Sequence, residues 1–276
     1  MQTDNEPSEI FDRKRRRALR ERAGRRGGDG FLWQIIADDI ADRLVDVTRD
    51  FHDVLILGPM TTYGSQILAD REVVITAVQI VEEDQLPFAP ASFDLLICAG
   101  TLDSVNDLPG AFVQIRRCLR PDGLFLGHMF GAGTLASIKS ALLEAEGEKA
   151  SAHIHPQIGL RSAADLLTRA GFALTVVDTD TTTVRYSNWR TLVSDLRDMG
   201  VGNALAGPRA SLSCDITRHL DTAWQAKASD DGKVKERFVH IHLSGWSPSE
   251  DQPKPAKRGS GSVSLASILS PSKPKD

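Results

Sequence analysis

The run FDLLICAG, residues 93–100, constrains this chain more than any other stretch. It carries apolar side chains at odd and even positions alike, so a strand built from it is buried on both faces. That is the pattern of a parallel sheet covered by helices, not of an antiparallel sheet with one wet face. The residues after it fit. Leu108-Pro109 opens a helix with proline in its first turn and Asn106 or Asp107 placed to cap it. Ala111, Phe112, Ile115 and Leu119 recur at helical spacing, and Arg116, Arg117 and Arg120 lie near the C-terminus, where cations suit the dipole. Pro121-Asp122-Gly123 reads as a tight turn, and LFLGHMF as a second apolar strand. Together they make one right-handed βαβ unit. Ligands of open α/β sheets sit beyond the carboxyl ends of the strands. That singles out Gly100, Thr101, Leu102 and Asp103, and then residues 130–133.

A chain of 276 residues with 41% hydrophobic content can bury one large core, and the net charge of −4 hides an asymmetry. Residues 13–26, RKRRRALRERAGRR, hold nine basic side chains against one acid, Glu21. The block forms helix until glycines break it. Two readings stand: a basic arm for nucleic acid or an acidic partner, or a solvated helix and hinge. The block has no interleaved aromatics for bases to stack on, which counts against nucleic acid. Three scattered cysteines in no metal or redox spacing, no apolar run of membrane-spanning length and no signal segment lead to the expectation of a cytoplasmic protein.

Residues 31–47 repeat Leu32, Ile35, Ile36, Ile40, Leu44 and Val45 at helical spacing, a helix suited to cover one side of a pocket. The strand DVLIL then runs into Gly58-Pro59-Met60-Thr61-Thr62-Tyr63-Gly64. Glycine turns of this kind let nucleotide cofactors meet bare backbone N–H groups. Here only Gly58 and Gly64 are present, and Pro59 removes a donor. The next apolar run, residues 73–81, ends at Glu82-Glu83-Asp84, which suits either a ribose or amine of a ligand or a plain acidic loop. Only the 28 residues 65–92 separate Gly64 from Phe93, and one βαβ unit takes about 30. One strand fits where a complete nucleotide-binding half has two. The sheet is therefore expected to lack one strand–helix pair after strand one.

Further on, the pattern gives a helix over 135–148 and a loop with His153 and His155. Their i, i+2 spacing points them opposite ways and argues against a shared metal. A helix from Ser162 ends at Gly171, and residues 172–177 and 181–186 read as a β-hairpin near a sheet edge. Helices over 189–199 and 212–228 precede an alternating last strand, FVHIHLSGW, in which His240 and His242 share a face. The organisation expected is a basic arm (1–30), an α/β domain (31–246) with a helical and hairpin elaboration from about 150, and a Pro/Ser/Lys-rich tail (247–276). The tail has one apolar patch, residues 264–269.

The order of motifs resembles a known family over nearly the whole chain. It runs FDR, LPF before FDLLICAG, VNDLPGAF, LRPDGLFLGHMFGAGTL, HIHPQ, DLLTRAGF, VVDTD, DLRDMG with Asn203, and GW before a Pro/Gln-rich segment. This is similar to bacterial relatives of a mitochondrial complex I assembly factor of arginine-hydroxylase type with a class I methyltransferase fold. The malonyl-carrier methyltransferase of biotin synthesis is a neighbour. The resemblance implies a seven-stranded Rossmann-like methyltransferase sheet with S-adenosylmethionine beyond the strand ends. It places Gly58 and Gly64 in the methionine-binding loop, Glu82 at the adenine-contacting acid, and Gly100 and Thr101 beside the cofactor. The chain departs from the family where Asp-Leu-Gly-Cys-Gly-x-Gly becomes residues 56–62, where the ribose acid of the second strand has no counterpart, and where a His-Trp pair becomes Asp103-Ser104. Three functions follow from the resemblance: a methyltransferase using S-adenosylmethionine, an arginine hydroxylase and assembly factor acting on a respiratory complex I subunit, or a non-catalytic binding protein on that fold. No catalytic residue is assigned; Asp103 and His128 are candidate general bases by location only. The expected partner is a protein, with no nucleic acid, no membrane span and no metal.

Overall fold

The computed structural model describes residues 9–28, 30–69, 71–208 and 211–253. Residues 1–7 and the 264–269 patch of the tail lie outside them. In chain order the elements are α1 (Arg13–Arg26), α2 (Phe31–Val45), β1 (Asp53–Leu57), α3 (Gly64–Ile67), β2 (Val74–Val78) and β3 (Phe93–Ala99). There follow α4 (Leu108–Cys118), β4 (Leu119–Phe130), α5 (Ala136–Glu146), α6 (Leu160–Arg169), β5 (Ala173–Tyr186), α7 (Trp189–Asp198), α8 (Cys214–Gln225) and β6 (Val234–Trp246).

One six-stranded sheet runs β2-β1-β3-β4-β6-β5. The first four strands are parallel, and β6 is antiparallel to both β4 and β5. Among the described residues the seventh strand that the resemblance implies is not formed, in keeping with the short 65–92 interval. β2 is the edge, with Val74 and Ile75 exposed, and no helix returns the chain from β2 to β3. All seven residues of β3 are buried, and period-two alternation sends them to two cores. Val54, Ile56, Leu95 and Ile97 pack under α2, α5 and α8, while Leu55, Leu57, Leu96 and Cys98 pack against α4 and α6.

Four local expectations change. Residues 173–186 form one long strand, not a hairpin: β6 pairs with it from Ala173 to Tyr186. Pro121-Asp122-Gly123 is a bulge inside β4, with Asp122 at φ +61°, and it holds the start of the tail: the Asp122 N–H donates to the Ser247 carbonyl and the Ser247 N–H to the Gly123 carbonyl. Val45 is exposed because α2 ends there. Asp107 caps α4 alone. Asn106 instead brackets the Phe11 backbone, accepting from its N–H at 2.8 Å and donating to its carbonyl at 2.9 Å.

The N-terminus of α5 has no cap of its own, since Leu135 there is left-handed. Glu236 of β6, fully buried, accepts from the N–H groups of Ser137 (3.1 Å) and Ile138 (2.8 Å). Burial pushes its carboxyl up, against the pull of those donors. Glu236→Ala should therefore lower the unfolding free energy by about 2–3 kcal/mol, read by urea denaturation, because two buried donors lose their acceptor.

Candidate functional site

The carboxyl ends of β1 and β3 bring together four of the five residues that the resemblance places at the cofactor. Gly58 is buried with φ +75°, and a Cβ on it would lie 2.4 Å from the Thr101 methyl group. Gly100, φ +74°, is covered by the Trp33 indole, 2.4 Å from where its Cβ would be. Thr101 is fully buried, and Glu82 reaches it through a shared arginine. Gly64 stands apart: it is helical, and a Cβ on it would lie 2.9 Å from Ile56 of β1, so its missing side chain lets α3 close on that strand. Both glycines at positive φ are thus needed for packing within the chain.

That shared arginine is Arg16, from the basic block that composition alone leaves as a loose arm or a solvated helix. α1 docks one face onto the acidic loop. Arg16 is 4% exposed. Its guanidinium donates to Glu83 (2.6 Å), the Thr101 carbonyl (3.0 Å), the Ser104 hydroxyl (3.0 Å) and Glu82 (3.4 Å). Arg13 forms a fork with both oxygens of Asp84 and reaches Glu82 at 2.9 Å; Arg20 approaches Glu83 at 3.4 Å. The Arg13 guanidinium holds the Asp84 carboxyl below its usual range. The signal was available: positions 13, 16 and 20 share one helical face, and the acids 82–84 are their counterparts. In this conformation Thr101 and Trp33 pack directly on Gly58 and Gly100, and Arg16 covers the Thr101 carbonyl, leaving no room for a ligand against these glycines. The residues present do not fit S-adenosylmethionine as they stand.

A cavity of about 410 Å³ opens next to this closed site, at the ends of β3 and β4. Phe130, Ile138, Trp189, Leu196 and Phe238 give it apolar walls, and Asp103, His153 and His155 bring polar atoms to it. His153 pairs with Glu146 at 2.7 Å, and the Nε2 of His155 accepts from the Ala204 N–H at 2.9 Å. Burial pushes the Asp103 carboxyl up and the His155 imidazole down, each moderated by the other. The two histidines, expected to face apart, border the same cavity.

His128 does not face it. It is wholly buried, shares a 2.9 Å hydrogen bond with His240, and lies 5.4 Å, centroid to centroid, from His242. Thr182 meets His240 at 3.0 Å, Asp39 lies 3.4 Å from His242, and Arg43 and Asp178 are the neighbouring charges. Among the described residues no group of three or more His, Cys, Asp or Glu side chains is arranged to hold a metal. Cys98 is no nucleophile either, its thiol pushed up to about 12 by burial.

Residues 34–127 match the methyltransferase domain family. The chain is 34% identical to the mitochondrial arginine-hydroxylase NDUFAF5 of Mus musculus and 33% to that of Homo sapiens, in each case over 94% of this chain and 83% of that protein. The chain belongs to the NDUFAF5 family. A second relation is to the malonyl-[acyl-carrier protein] O-methyltransferase of Xylella fastidiosa, 32% identical over 60% of this chain and 56% of that one. A putative methyltransferase from Bacillus halodurans shares the fold, with a TM-score of 0.51 at 13% identity over 77% of this chain and all of that one. This NDUFAF5-family chain is therefore a methyltransferase-domain protein with a six-stranded sheet. Among the described residues, no helix is long and apolar enough to cross a membrane.

Two outcomes test this geometry. Arg16→Met strands the buried Glu83 carboxylate and should cost about 3–5 kcal/mol in urea denaturation, with Arg16→Met/Glu83→Leu recovering most of it. The second concerns the histidines. Burial lowers His128, His240 and His242, the last from 6.5 to about 4. Folded, they bind fewer protons than unfolded, so stability is whole above pH 6.5 and falls as pH drops toward 4. The slope should reach about 1.4 kcal/mol per pH unit for each histidine. A urea midpoint that stays level from pH 7 to 4.5 would refute the neutral assignment.

Proposed function

We propose that this chain acts on arginine side chains of a protein substrate, as an arginine hydroxylase and assembly factor for a respiratory complex I subunit. The observation that carries the reading is the pairing of a closed nucleoside position with an open, largely apolar cavity beside it. The kinship with NDUFAF5, named as an arginine-hydroxylase, supplies the chemistry. Methyl transfer from S-adenosylmethionine is the second reading, favoured by the methyltransferase-domain match over residues 34–127. It requires α1 to lift Arg13 and Arg16 off the acidic loop and Trp33 to leave Gly100. A non-catalytic binding role is the third, supported by the same closure. Three unpaired cysteines, two of them buried, accord with a reducing cytoplasmic compartment.

The test is to isolate the respiratory NADH dehydrogenase from host cells with and without the gene and map every arginine by mass spectrometry. The hydroxylase reading expects one oxygen atom on an arginine only when the gene is present. One methylene there instead would establish methyl transfer, and identical maps would leave the binding role.

A further inference from the structure

Asp103 is the only carboxylate among the described residues that line the cavity. It follows β3 on the short turn Leu102–Ser104, with the apolar walls ahead of it. Four other polar residues at the cavity are already engaged. Gln157 donates to the Thr134 carbonyl at 2.9 Å, and Asn203 to the Ala152 carbonyl at 3.0 Å. His153 is held by Glu146, and His155 by the Ala204 N–H. Among the described residues, the Asp103 carboxyl group has a hydrogen bond from its own backbone N–H and from no other residue. His155 is its first charged neighbour, and Arg16 and Arg20, which also act on it, are committed to Glu83. Burial works against its charge, so a cation entering the cavity would gain a partner and relieve that penalty.

We propose that Asp103 is the specificity residue of this cavity, receiving the guanidinium of a substrate arginine whose aliphatic stem lies against the apolar walls. This deepens the arginine reading above and rests on it. Three features favour a guanidinium over an ammonium. Its planar fork matches both carboxylate oxygens. Its weak hydration makes entry into an apolar space less costly than for a lysine. The walls include Trp189, an indole that already carries Arg190 4.4 Å from its ring centroid, so this side chain is known to accept a guanidinium over its face. A volume of 410 Å³ is within the range of ligand sites and holds one side chain with its flanking backbone.

The experiment titrates the full chain with N-acetyl-arginine N-methylamide, and separately with its citrulline and lysine counterparts, followed by ligand-observed NMR. Citrulline keeps the shape and removes the charge. Wild type should bind the arginine probe at least about tenfold more tightly than either other probe. Asp103→Asn should bring arginine and citrulline to equal affinity while leaving citrulline binding unchanged, and Asp103→Glu should restore part of the preference. Equal binding of arginine and citrulline by wild type, which needs no variant, overturns the proposal. So does an arginine preference that survives Asp103→Asn, or no binding of the arginine probe at all. Unmodified arginines in the host complex combined with intact arginine selectivity here would sink the hydroxylase reading and leave this assignment standing.

Discussion

A carboxylate buried at the end of the sheet cannot stand without its cation, and the Glu83–Arg16 pair settles the form of everything around it. Glu83 is fully buried. Removing such a group from water costs several kcal/mol unless an opposite charge and further hydrogen bonds accompany it. α1 supplies both, through Arg16 and Arg20. The dependence is mutual, since Arg16 is the only residue of α1 that is buried and the helix has little apolar surface to hold it down. Ion pairs of this kind add little net stability but penalise alternatives heavily. One rotation and one height of α1 put Arg13, Arg16 and Arg20 onto Asp84, Glu82 and Glu83; a slip of one residue leaves the carboxylates unmatched.

The missing strand–helix pair explains why the acids are there at all. In a complete nucleotide-binding half, the residues after the second strand continue into a helix and stay on the sheet's flank. Here residues 79–92 turn back as loop. Arg117 of α4 pins them, donating to the carbonyls of Leu86 at 2.9 Å and Phe88 at 2.8 Å. The loop therefore crosses the strand ends and carries Glu82, Glu83 and Asp84 inward. Loss of the edge strand and closure of the nucleoside position are thus two consequences of one shortening.

The parts of the fold written in local pattern were legible. The continuous apolar run of β3, the capped helix after it and the 28-residue interval each predicted what is observed, because burial on two faces, capping and chain length are local constraints. What depended on distant partners was not. The pattern over 172–177 and 181–186 predicts a hairpin; thirteen residues of β6 alongside hold 173–186 as one strand. Pro121-Asp122-Gly123 has the composition of a turn and becomes a bulge because Ser247 pairs with it. The candidate site was half legible. Asp103 was singled out by its place after a strand, and it does reach the cavity. His128, singled out the same way, points into the core, since even positions of β4 face α2. The arginines of α1 read as charge by composition, whereas the spacing of Arg13, Arg16 and Arg20 describes a face.

The glycines at 58 and 100 carry the general lesson. A glycine at positive φ after a strand is compatible with a ligand approaching the backbone and equally with a neighbouring side chain doing so. At both positions the neighbour is internal, a threonine methyl and an indole. Admitting a nucleoside would expose Trp33, worth about 1.5–3 kcal/mol, and part the buried Arg16–Glu83 pair, worth about 3–5 kcal/mol. A ligand of micromolar intrinsic affinity brings about 8 kcal/mol. The costs offset half or more of that affinity, so the closure weakens nucleoside binding. A methyltransferase sheet can thus retain its order and its glycines while internal side chains close over them, and a cavity bordered by Asp103 stays open beside them.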